Sequence, residues 1–198
     1  MLNYTRGIIK YKIALFTLKL FYYSYYMNFH LIFVHFPIAL FTIYALLELI
    51  SINKINQLSY WFFIKAVLVI IGSISAYFTL ETGSLIEGKF SYLHDLVNVH
   101  SDWATISTII FSLIAAAYGI AWINREWHFD LRQTGLFSGI WGSATVISKF
   151  ILKRLIVFIL ALAGLIAITI TGALGGAISQ GPTIDPVVNF VYHLYFTK

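Results

Sequence analysis

Four stretches of about twenty residues, nearly all apolar and almost free of charge, recur along this chain at 31–51, 60–80, 102–123 and 151–173. A helix needs about 20 such residues to cross the hydrocarbon of a bilayer. Lipid offers no partner to a backbone N–H or C=O, so a lipid-exposed run of this length must satisfy its own hydrogen bonds and be helical. The expectation is an all-α integral membrane four-helix bundle. Composition agrees: 60% of the 198 residues are hydrophobic and 11% charged, where a soluble domain carries about a quarter charged residues. The chain has no cysteine, which removes disulfides, thiolate zinc sites, iron–sulfur clusters and covalently attached haem. A redox metal would have to be held by other ligands.

Three regions follow. Residues 28–180 hold the four spans. Residues 1–27 are apolar and aromatic but carry Lys10, Lys12 and Lys19, whose burial at mid-membrane is costly. An interfacial amphipathic helix is therefore expected there in place of a fifth span. No small-residue cleavage site follows it, and Met27 offers a second start. Residues 181–198 read as an extended tail, a Gly-Pro-Thr-Ile-Asp-Pro turn leading to an aromatic run.

Lys and Arg near the span ends set orientation. Lys54, Lys65, Arg125, Arg132, Lys149, Lys153 and Arg154 fall on one side; Lys89 and Lys198 fall on the other, together with the basic residues of 1–27. The 52–59 and 124–150 connections are thus expected in the cytoplasm, with both termini and the 81–101 loop outside a cell (inner) membrane. The assignment reverses if residues 1–27 form a span. Trp61, Trp103, Trp122 and Trp127 sit at or just beyond the proposed helix ends, where indole rings favour the headgroups. The net charge of +5 is spread over these ends without a soluble basic patch, so the partner is the lipid bilayer and not nucleic acid.

Helices in lipid associate through small residues in rows. Ala163, Ala167, Thr171 and Gly175 make one row in the fourth span, beside Gly164, Gly172 and Gly176. Ala104, Thr108, Ser112 and Ala116 make another in the third. Gly72, Ala76, Thr79 and Gly83 share a face of the second. No internal repeat is evident.

Of six histidines, His30, His35, His94, His100 and His193 fall on the outer side and His128 on the inner. One step of four above Ala104 puts His100 on the inward face of the third span. On the first span His35, Ala39 and Thr42 lie within about 60° of one another, a small face headed by a histidine. Two inward imidazoles at similar depth suit bis-histidine ligation of a b-type haem, with small residues making room for the ring. His35 and His100 are the expected metal ligands. The competing expectation is that both are interfacial side chains that hydrogen-bond lipid or backbone. No His-x-x-x-His pair supports a zincin-like site.

Glu81 closes the second span at the same level, where it could orient an imidazole or accept a proton near a quinol; otherwise it is a wet helix end. His94, beside Asp95, is a reserve ligand or a solvated turn. Glu48 and Lys65, at similar depth in the first two spans, are expected to pair. Pro37 starts or bends the first span near His35.

The stretch Val34-His35-Phe36-Pro37-Ile38-Ala39-Leu40-Phe41, with Thr82-Gly83, His100 and Gly172-Ala173-Leu174-Gly175-Gly176, resembles the domain-of-unknown-function 2231 family of small bacterial and archaeal membrane proteins over roughly residues 30–180. The resemblance implies a four-helix membrane domain with a redox association and His35 and His100 as its matching histidines. It implies no enzyme activity. Residues 1–27 and 124–150 depart from the compact family pattern. The leading functional expectation is a b-type cytochrome or a subunit that passes electrons between a quinol and an outer-side acceptor or respiratory partner protein. The alternative is a non-catalytic subunit packing against a larger membrane complex. A transporter is weakest, for want of inverted repeats or broken helices.

Overall fold

The computed structural model describes residues 2–50, 58–126 and 138–196. Its helices are α1 (Leu2–Leu49), α2 (Ser59–Ile86), α3 (His94–Glu126), α4 (Ser138–Ile151), α5 (Arg154–Gln180) and α6 (Pro186–Phe196), with a 3-10 segment, Glu87–Leu93, between α2 and α3. No strand occurs among the described residues. Among the described residues four helical segments are long and apolar enough to cross a membrane: His30–Leu49, Tyr60–Phe90, His94–Glu126 and Arg154–Gln180. The protein is an all-α, multi-pass membrane bundle.

The bundle is a four-sided ring in which α1 packs on α2, α2 on α3, α3 on α5 and α5 on α1. The diagonal pair α1 and α3 meets in the middle through side chains. Phe41 and Phe111 stack with centroids 4.0 Å apart and ring planes 13° from parallel. Tyr44 meets Phe111 and Tyr118 edge-on, at 6.2 and 6.0 Å. Glycines on the other two helices make this possible. A Cβ on Gly72 would stand 2.7 Å from the Phe41 ring, and one on Gly164 the same distance from Phe111. Both contacts are shorter than real Cβ atoms tolerate. Several hydroxyls within the spans fold back onto their own helix, as Thr79 does to the Ser75 carbonyl and Thr108 to that of Ala104, which satisfies them without water; the buried Ser73 and Ser112 hydroxyls have no protein partner.

Several boundaries differ from expectation. The division at residue 27 is not a break: α1 runs for 48 residues, about 72 Å, because no glycine or proline interrupts residues 8–36. Pro37 lies inside it. The 124–150 connection contains α4, an amphipathic helix that packs against α3. Ser148 donates to the Ala117 carbonyl at 2.7 Å, Asn124 to the Thr145 hydroxyl at 3.2 Å, and the Trp141 indole to Asn124 at 3.0 Å. The tail is extended only briefly, since α5 ends at Gly181 with φ 97° and α6 begins at Pro186. Asp185 caps α6, its carboxylate accepting the Val187 and Val188 N–H groups at 2.8 and 2.9 Å. Asp-Pro is an N-cap followed by a first-turn proline, a start signal that the turn reading missed.

Candidate functional site

Two polar layers bound the apolar middle of the bundle. At one end His30 of α1 and His100 of α3 are both half-buried, each with its ring against a neighbouring helix. The Nδ1 of His100 lies 3.0 Å from the Thr171 carbonyl of α5. A carbonyl only accepts, so Nδ1 carries the proton. The Nδ1 of His30 lies 3.1 Å from the Thr82 hydroxyl and within hydrogen-bond reach of the Thr79 carbonyl of α2. The single Thr82 hydroxyl proton has the Phe78 and Thr79 carbonyls as acceptors, which leaves its oxygen to accept from a His30 protonated at Nδ1. Both rings therefore spend Nδ1–H on the neighbouring helix and keep the Nε2 lone pair. That is the usual state of a metal-ligating histidine, whose other nitrogen is tied to a carbonyl or carboxylate.

Each imidazole also rests on a glycine. A Cβ on Gly83 would stand 3.2 Å from His30, and one on Gly175 would stand 3.2 Å from His100. This repeats the ring stack beneath it. Eleven residues, three helical turns, separate His30 from Phe41, His100 from Phe111, Gly83 from Gly72 and Gly175 from Gly164. The α1–α2 and α3–α5 hairpins thus present equivalent residues about a pseudo-twofold axis along the bundle, with Thr79 and Thr171 matching as well. An internal repeat is present where none was evident from sequence. The matching hairpins have different connectors and share few identities, which hides the pairing from a search for rows of small residues.

The other polar layer lies eighteen residues deeper, from His30 to Glu48 and from His100 to Tyr118, which is about 27 Å. Here Glu48 is buried. Its Oε1 accepts from Tyr118 at 2.7 Å and Tyr44 at 3.2 Å and pairs with the Lys65 ammonium at 3.0 Å. The expected Glu48–Lys65 pair is present and joins three helices.

The other predicted site residues lie elsewhere. His35 is exposed on the outside of α1, and so is Ala39. The inward face of this helix carries His30, Pro37, Phe41, Tyr44 and Glu48. The expectation failed because it assumed that small residues mark the inward face of every span. On α2 and α5 they do, but on α1 the large rings point inward to fill the space those glycines leave. Glu81 is exposed and meets neither imidazole; Thr82 and the Thr79 and Thr171 carbonyls take the orienting role assigned to it. His94 is exposed beside Asp95, at 3.5 Å, and Asn98, at 3.1 Å, away from the pair. Among the described residues no group of three or more His, Cys, Asp or Glu side chains could hold a metal. The signal that could have found His30 is the shared Asn-x-His with a phenylalanine eleven residues on, at Asn28-His30-Phe41 and Asn98-His100-Phe111. No family model matches the chain, and no curated protein or solved structure does.

Proposed function

We propose that this protein is a membrane electron-transfer protein that holds a b-type haem between His30 and His100. The observation that carries the reading is the matched pair of inward imidazoles, each with Nδ1–H spent on a neighbouring helix and Nε2 left for a ligand. The donor set suits haem iron, which takes two neutral imidazoles from opposite faces. Gly83 and Gly175 support the fit, since a side chain at either position would press its imidazole toward the axis. His30 replaces His35 in the ligand pair expected from the sequence. Bound there, the haem supplies a reversible one-electron couple. The protein's residues hold the ring planes through Thr79, Thr82 and Thr171, and the Phe41–Phe111 stack closes the bundle beneath them.

The clustering of Lys65, Arg125, Lys149, Lys153 and Arg154 at the Glu48 end supports a cytoplasmic side there in a cell membrane, in keeping with the positive-inside rule. The imidazole pair and both termini then face outward. A lipid-soluble quinol or a respiratory partner protein exchanges electrons at that face. A crevice between α1, α5 and α6, lined by Ile38, Thr42, Thr169, Gly172 and Asp185, supports a quinol, because it reaches the residue next to Thr171.

The test is an absorbance spectrum of protein purified from haem-replete cells. A Soret band with reducible α and β bands is expected, lost in His30→Ala and in His100→Ala and kept in His35→Ala. A colourless preparation overturns the reading in favour of a non-catalytic subunit of a larger membrane complex.

A further inference from the structure

The two hairpins match at His30 and His100, at Thr79 and Thr171, and at Gly83 and Gly175, but they differ at the residue before the last glycine. In α2 that residue is Thr82; in α5 it is Leu174, fully buried and apolar. The His30 Nδ1–H therefore meets a hydroxyl as well as a carbonyl, whereas the His100 Nδ1–H has the Thr171 carbonyl. The one Thr82 hydroxyl proton is shared between the Phe78 and Thr79 carbonyls, each 3.0 Å away. Donation of this kind polarises the oxygen and makes it a better acceptor. A better acceptor on Nδ1–H pushes electron density into the ring and raises the basicity of Nε2.

We infer that Thr82 is a positioning residue that makes the two imidazoles chemically unequal, with His30 the stronger donor at Nε2. Where this concerns iron it rests on the haem reading above, but the inequality belongs to the protein itself. A symmetric fold thereby acquires a direction: the imidazole on the α1–α2 hairpin is the more electron-rich of the two, and a metal held between them would meet unequal donors.

The full chain, labelled with nitrogen-15 in histidine and held in lipid nanodiscs, tests this by the ring-nitrogen resonances of His30 and His100, assigned with single His→Gln variants. Thr82→Val keeps the shape and removes the hydroxyl. It is expected to move the His30 resonances toward those of His100, which stay in place. Thr82→Ser is expected to restore them. His30 resonances that stay put in Thr82→Val, or that move together with those of His100, overturn the proposal. In protein that carries haem, Thr82→Val is also expected to raise the midpoint potential, because an axial ligand that donates less favours the reduced iron, and Thr82→Ser to return it. An unchanged potential overturns the electronic claim. If the protein proves colourless the haem reading falls, and the nitrogen resonances still decide the role of Thr82.

Discussion

The two polar layers sit at opposite ends of the same apolar bundle, and they differ in what they leave unspent. At the Glu48 end a single carboxylate oxygen gathers two phenols and an ammonium from three helices. Charge meets charge inside the protein, as buried ions in a membrane require. At the histidine end each ring bonds outward to a neighbouring helix and keeps a lone pair aimed away from that bond. A closed cluster ties helices together. An open one is equipped to bind something. The contrast makes the Glu48 layer a structural device and the histidine layer the candidate functional site.

Breaking the closed layer has the largest expected effect. Lys65→Met leaves Glu48 buried without its counter-ion, a change that costs about 3–5 kcal/mol in a protein interior. Adding Glu48→Gln should recover most of the loss, as read by equilibrium unfolding in mixed micelles. A cost below about 1 kcal/mol for Lys65→Met would mean the layer is not closed. Next come the glycines against the phenyl stack. Gly72→Leu or Gly164→Leu forces a side chain into space that a Cβ alone enters at 2.7 Å, and overpacking of this kind costs about 1–3 kcal/mol. Gly119→Ala, with nothing near its Cβ, is the matching control and should cost nothing.

The open layer should respond in function more than in stability. Gly83→Ala and Gly175→Ala each meet an imidazole at 3.2 Å. They are expected to lower stability by under about 1 kcal/mol while both reduce the Soret absorbance, since the two positions are equivalent. A loss from only one of them would break the equivalence of the hairpins. The smallest effect belongs to His35→Ala, which should stay within about 0.5 kcal/mol, as surface changes do.

Much of the fold was legible from residues alone. The four spans, the interior faces of α2 and α5, and the Glu48–Lys65 pair follow from hydrophobic runs, rows of small residues and the need of buried charges for partners. His100 was legible for the same reason, since it extends a small-residue row. His30 was not. Its helix presents Phe41 and Tyr44 inward, so the rule that small residues face inward selected the wrong side of α1 and with it His35. The α4 helix was hidden within a connection counted only for its basic residues, and α6 behind a turn whose Asp-Pro pair is also a helix start.

What the sequence determined by itself is the solvent and the count. Apolar runs of membrane length, with basic residues at their ends, leave a chain no arrangement but helices across a bilayer, because every backbone group must find its partner within its own segment. What only the tertiary structure decided is which side of each helix faces the centre. Glycine on one helix and a ring on its neighbour are complementary halves of a single contact, and neither half can be read without the other. His30 joins His100 because Gly83 and Gly175 leave room for both rings, and His35 is left facing the outside.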